Sequence, residues 1–249
     1  MIRPKTADEI EYMREGGRKL AAILGMLSAK AEPGATGKDI SAIATQEIKK
    51  AKMKPVVLGY QGFPDVMCVS VNNAIVHGVP TKTPFKNGDV VKLDLTLGYK
   101  AMVIDSALTI VVGGEPSGDV QRLLDGTKKA LDAGINAIKG DGTRVGDISS
   151  AVQNVLEKHK LGVIRDLVGH GVGYAIHEEP NVPNFGVAGT GPLLSAGMTL
   201  AIEPMAALGD WQINMKKDGT VLMRDGSIGA HFEHTVLVTE DGAEILTAL

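Results

Sequence analysis

The sequence predicts an α+β fold in which two similar halves share one sheet. Three observations carry that reading. The order of elements restarts, with two helices and then short strands in the first half and the same succession again after it. Short identities recur at a near-constant spacing: Asp39-Ile40-Ser41 returns as Asp147-Ile148-Ser149, an offset of 108, while Gly88 and Asp94 return as Gly197 and Glu203, an offset of 109. Finally, carboxylates stand at matching points of strand-like segments, although Asp is depleted in strands and a buried carboxylate is costly unless paired or metal-bound.

TADEIEYMREGGRKLAAILGMLSAKA has the spacing of a long amphipathic helix, opened by a capping box of Thr6 and Glu9. After the turn EPGATGK a second helix is expected from near Asp39, with Pro55 beyond its end. Short strands follow around Val56 and over 67–72, 90–95 and 102–112, the last two joined by a turn at Gly98-Tyr99. In the second half GDVQRLLDGTKKALDAGINAIK and VGDISSAVQNVLEKHK read as helices, with strands near Leu167 and over 198–203, 220–223 and 231–238.

Composition bounds the function. A chain of 249 residues with 44% hydrophobic and 22% charged residues has the balance of a folded protein, one α/β domain or two small ones. A net charge of −3 without a basic block argues against a nucleic-acid or membrane-surface binder. No apolar run approaches the roughly 20 residues of a membrane helix, and the first residues lack the apolar core of a signal peptide. The single cysteine, Cys68, excludes a disulfide framework within the chain. A soluble cytoplasmic protein is expected.

Strand alternation sorts the acids. Lys92 and Asp94 share one face, as do Val103 and Asp105, Ala201 and Glu203, and His231, Glu233 and Thr235. If the halves are related by a pseudo-twofold axis, Asp94, Asp105, Glu203 and Glu233 converge near it. Four carboxylates in one pocket need compensating positive charge, which divalent metal ions supply. GHGVGYAIHEEP offers nitrogen: His170 lies between glycines, where backbone approaches closely, and His177 follows seven residues later. His77 lies in the loop-like NNAIVHGVP. His231 is expected behind the ligands at most, and His234 to face away from them.

The ordered set VHGVP, KLDLTLGYKAMVID, GHGVGYAIHEEP, AIEPM and HFEHT resembles methionine aminopeptidases of the pita-bread metallopeptidase family, over essentially the whole chain. The resemblance implies a curved, mainly antiparallel sheet backed by helices, as a single catalytic domain over 1–249 with internal halves of about 1–113 and 114–249. It implies a metallo-exopeptidase holding two divalent ions (Co, Mn, Fe or Zn), with Asp94 terminal on one, Asp105 and Glu233 bridging, and His170 and Glu203 on the other. Glu203 would also be general base, His177 would stabilise the tetrahedral intermediate, and His77 would contact the substrate backbone on the leaving side. Tyr60, Phe63 and Cys68 match the methionine pocket and Trp211 its rim. Val57 and Ile176 depart from the common bacterial pattern at pocket positions, and Met102-Val103 from the usual lead-in to the second acid. No zinc-finger extension precedes the first helix, and few residues separate His177 from Glu203, which implies the short bacterial form of type I. The substrates implied are N-termini of nascent polypeptides with a small second residue, met at the ribosome by a monomer, without specific nucleic acid or membrane.

Two other readings stand beside it. An Xaa-Pro dipeptidase or aminopeptidase of the same fold usually carries a sizeable further N-terminal domain, and CVSVNNAIVHGVP fits the methionine enzymes better. A non-catalytic binding protein of this fold typically loses metal ligands, whereas all five are present here. Cys68 is read as pocket lining rather than nucleophile, since no basic partner stands beside it. The glycines of GHGVG lack the spacing and the lysine of a phosphate loop.

Overall fold

In the computed structural model, which describes residues 3–248, the capping residues set the helix starts. At α1 (Ala7–Lys30) the Thr6 hydroxyl accepts from Glu9 N and the Glu9 carboxylate accepts from Thr6 N at 2.8 Å. α2 (Gly37–Lys50) starts two residues earlier than expected, because Thr36 and Asp39 form the same reciprocal cap. α3 (Gly118–Asn136) and α4 (Val145–Lys158) repeat the pair. The recurrent Asp-Ile-Ser acquires a physical reason. Asp147 accepts from Arg144 N at 2.8 Å as Asp39 does from Thr36 N at 2.9 Å, and Ile40 and Ile148 are both fully buried. Isolated bridges fall at matching points too, Thr36 to Pro84 and Arg144 to Leu193, and Gly88 and Gly197 share positive φ values of 85° and 86°.

The strands are β1 (Lys54–Pro55), β2 (Cys68–Val71), β3 (Ala74–Val76), β4 (Val90–Tyr99), β5 (Met102–Val111), β6 (Gly162–Val163), β7 (Val168–Gly171) and β8 (Glu178–Pro183). They continue as β9 (Thr199–Ile202), β10 (Met205–Ala207), β11 (Ile213–Met215), β12 (Val221–Met223), β13 (Gly229–His231), β14 (Glu233–Val238) and β15 (Ala243–Ile245). The main sheet has nine strands in the order β1-β4-β5-β14-β9-β7-β8, with β2 on β4 and β15 on β14, and every pair is antiparallel. The halves meet where β5 pairs with β14, Ala107 opposite Glu233 and Ser106 opposite His234.

Two expectations need correction. The β4–β5 hairpin turns at Lys100-Ala101, not at Gly98-Tyr99, since Tyr99 still pairs with Met102 and Gly98 is flanked by Val103 on one side and Lys54 on the other. The strand expected over 231–238 divides at Phe232: His231 ends β13, which pairs with β10 in a separate small sheet.

Helices back one face of the main sheet. Leu20, Leu24 and Leu27 of α1 and Ile40 of α2 bury against Leu93, Leu95, Leu97 and Ile104. Leu123 and Leu131 of α3, with Ile148 and Val152 of α4, bury against Leu200, Ile202 and Val236. At about 1.5–3 kcal/mol per buried aliphatic side chain, these two clusters fix the register of the strands that carry the acids. Met102, at the unusual lead-in, is buried in the first cluster.

Candidate metal centre

The alternation that turns Leu93, Leu95 and Leu97 toward the helices turns Asp94 and Thr96 the other way, into a cavity of about 720 Å³. Asp94 and Asp105 reach it from β4 and β5, His170 from β7, Glu203 from the residue after β9, and Glu233 from the start of β14. Asp105, His170 and Glu233 each offer a ligand atom within 4.8 Å of the other two. His170 Nε2 lies 3.4 Å from Glu203 Oε1. The structure thus brings the five expected ligands to one floor.

Hydroxyls hold that floor in register, both within the β4–β5 hairpin and across the short β5–β14 ladder between the halves. Thr96 Oγ1 donates to Asp105 Oδ1 at 2.8 Å, and Ser106 Oγ donates to Glu233 O at 2.8 Å. His170 is oriented by its Nδ1, 2.9 Å from Gly171 O, which leaves Nε2 for the floor. Glycines on both sides of it are required by close backbone: a Cβ at Gly169 would collide with Ala201 O, and one at Gly171 with Glu179 O.

Electrostatics tests whether a cation belongs here. Burial, aided by the neighbouring Asp105 charge, pushes Asp94 up to about 7. Burial pushes Glu203 up to about 8 although His170 opposes it. Burial likewise raises Asp105, and raises Glu233 well above the usual carboxylate range with Asp105, Glu203 and Asp94 adding to it. Glu233 Oε1 is buried without a hydrogen-bond partner among the described residues. The protein does not cancel this charge itself. Lys92 is fully buried nearby, but its ammonium donates to Asn72 O at 2.7 Å and Val90 O at 3.2 Å, and burial lowers it to about 7. Oxygen-rich donors with one imidazole suit divalent cations, so the residues present fit such ions.

The other expected residues separate. His77 and His177 line the same cavity at its exposed side. His77 has a φ of +55°, a left-handed conformation that a residue with a Cβ adopts at a cost, and Gly78 behind it is pressed against Val69 O. His177 Nδ1 is 3.1 Å from Tyr60 OH, its ring stands edge-on to that of His170 at 4.4 Å, and burial lowers it to about 4. Tyr60, Phe63 and Cys68 line the wall with Val57 and Ile176. Burial drives the Cys68 thiol up, against ionisation. Trp211 is not among the lining residues: it stands against Arg165, 5.7 Å from guanidinium carbon to ring centre. The rim is formed instead by Lys217, Asp218 and Gly219, the turn of the β11–β12 hairpin, with Asp166 and Asn181. His234 pairs with Thr247 Oγ1 at 2.9 Å and is not among the lining residues.

One further histidine stands against the floor. His231 lines the cavity, is 2% exposed, and puts Nε2 3.3 Å from Glu203 Oε2 and 3.8 Å from Glu233 Oε2. The signal was its place two residues before Glu233, on the same face of an extended chain.

Buried carboxylates and imidazole at the floor of an open cleft have the donor chemistry of a metallohydrolase. A profile described as metallopeptidase family M24 matches residues 11–240. A methionine aminopeptidase of Clostridium perfringens is 40% identical over 250 residues, covering 100% of both chains. The crystal structure of a methionine aminopeptidase from Thermotoga maritima superposes with a TM-score of 0.97 at 45% identity, again over 100% of both. The prolidase of Pyrococcus furiosus shares the fold with a TM-score of 0.79 at 22% identity, covering 99% of this chain and 65% of its own. The chain belongs to the methionine aminopeptidase family within the M24 metallopeptidases. Among the described residues no helix is long and apolar enough to cross a membrane.

Proposed function

We propose that this chain is a metal-dependent aminopeptidase that removes the initiator methionine from proteins with a small second residue. It acts as a monomeric, single-domain cytoplasmic enzyme on nascent chains at the ribosome. The observation that carries the reading is the gathering of Asp94, Asp105, His170, Glu203 and Glu233 from both halves on the floor of one cavity, beside a wall of Val57, Phe63, Cys68 and Ile176.

Two divalent ions, Co, Mn, Fe or Zn, would be held by Asp94 on one side and by His170 and Glu203 on the other, with Asp105 and Glu233 shared. Such ions, when bound, supply Lewis acidity toward water and toward a carbonyl oxygen. Glu203 takes the proton of the attacking water on its carboxylate and passes it to the leaving amine. The Tyr60 hydroxyl donates to His177 Nδ1, which keeps the ring proton on Nε2, and burial keeps the ring neutral. His177 Nε2–H then donates to the scissile carbonyl oxygen as it gains charge. His77 contacts the peptide backbone on the leaving side, and the apolar wall takes the methionine side chain. Bound ions would also anchor the free α-amino group, which would confine cleavage to the first residue.

The test is hydrolysis of Met-Ala-Ser and of an Ala-Pro peptide by chelator-treated protein with Mn or Co added back. Metal-dependent release of methionine alone, lost in Glu203→Ala, is expected. Cleavage confined to the bond before proline would instead support an Xaa-Pro peptidase, and no turnover with any metal a binding protein.

A further inference from the structure

We propose that His231 is a further nitrogen donor of this metal centre, seated with Glu203 and Glu233. The inference rests on the metallopeptidase reading and adds to the five residues that reading requires. His231 is 2% exposed, yet neither Nδ1 nor Nε2 has a hydrogen-bond partner among the described residues. Folded proteins seldom leave buried polar atoms unpaired, so the ring is built for something other than the protein. Its neighbour Glu233 Oε1 is unpaired in the same way. Of the six buried polar atoms without a partner among the described residues, three belong to these two side chains.

The spacings identify what would satisfy them. Nε2 is 3.3 Å from Glu203 Oε2 and 3.8 Å from Glu233 Oε2, but it makes no hydrogen bond to either. Ligand atoms about 2.0–2.2 Å from one ion stand roughly 3.3 Å from each other when tetrahedral. The His231 nitrogen and the Glu203 oxygen are therefore spaced as co-ligands rather than as donor and acceptor, with the Glu233 oxygen slightly farther off. The backbone fixes the ring's origin. Thr109 Oγ1 accepts from His231 N at 3.0 Å and donates to His231 O at 2.6 Å, and His231 pairs with Met205 across β10 and β13. A second imidazole moves the donor set from one nitrogen among oxygens toward two, which favours Zn, Co and Fe over Mn.

The experiment is proton NMR of the protein loaded with Co(II), using histidine-specific labelling to count imidazoles shifted by direct contact with the ion. Two are expected: His170, whose Nδ1 is held on Gly171 O at 2.9 Å, and His231. His231→Gln should lose one of them and weaken Co(II) binding, read by isothermal titration, by ~10-fold or more. Retention of Mn(II) binding in the same variant is expected. A wild-type protein that binds Co(II) with a single shifted imidazole would overturn the inference and leave the metallopeptidase reading standing. Protein that takes up no Co(II) at all would overturn both.

Discussion

Among the hydroxyls that tie the two halves at the floor of the cleft, that of Thr235 does so twice. Thr235 Oγ1 accepts from Asp105 N at 3.0 Å and donates to Asp105 O at 2.7 Å, so a slip of β14 against β5 breaks both bonds at once. At the open side the equivalent small contact is Tyr60 to His177. Removing the phenolic hydroxyl in Tyr60→Phe frees the His177 ring tautomer and should cost about 1 kcal/mol, roughly fivefold in kcat/KM. His177→Ala should cost ~10²-fold, mostly in kcat, because it removes a donor that acts as charge develops. Steady-state kinetics on Met-Ala-Ser separates the two, and an unchanged kcat in His177→Ala would remove it from the proposed chemistry. At this scale the acids were legible because strand alternation is a local rule, and an Asp in an apolar strand stands out. Trp211 was not, because which side chain reaches a rim depends on where the β11–β12 hairpin folds, and that is set by its pairing with β3, more than a hundred residues earlier.

At the scale of elements, the entry to α1 clamps the turn that presents His177. Lys5 Nζ is 2.8 Å from Glu178 Oε2, with side chains 2% and 17% exposed, and Lys5 N donates to Gly197 O at 2.8 Å. The other Glu178 oxygen accepts from Tyr174 N and Ala175 N, and the Tyr174 hydroxyl donates to Glu9 at 2.7 Å. Glu178→Ala strands a buried ammonium and frees the turn, so a loss of ~3 kcal/mol is expected. Denaturant midpoints measure it, with KM rising as His177 loses its support. Replacing both partners, Lys5→Met with Glu178→Met, should recover most of the stability, since the cost lies in the stranded charge. If the double variant is no better than the single, the ion pair is not the clamp. Helices were readable in order because caps and a 3.6-residue period extend over many positions. Of the three-residue strands, β12 was anticipated over 220–223, but β3, β10, β11, β13 and β15 were not, because a segment so short has no period and forms only where a partner strand lies beside it.

For the whole molecule, convergence of two halves on one charged floor makes stability depend on what binds there. In metal-free protein the carboxylates resist ionisation: Glu203 is raised from 4.5 to about 8 and Asp94 from 3.8 to about 7, with burial the leading cause in both. Asp105 and Glu233 are raised as well. A carboxylate whose folded pKa lies above its unfolded one contributes stability that is fully present below the unfolded value and is lost as pH rises through the folded value. The chelated protein should therefore lose stability as pH climbs from about 4.5 toward 8, the window these shifts define. Bound divalent ions act in the opposite sense. They favour the ionised ligands, bind more tightly as protons leave, and stabilise the fold by about 4 kcal/mol at a thousandfold excess over Kd. The gap in Tm between metal-loaded and chelated protein should accordingly widen with pH across that window, while Glu233→Gln, which removes one ionisable group from the floor, should flatten the chelated protein's decline. Scanning calorimetry in matched buffers measures both. A gap that stayed constant or narrowed with rising pH would mean that the four carboxylates are not jointly short of a cation, and the account of the floor as a metal centre would fail.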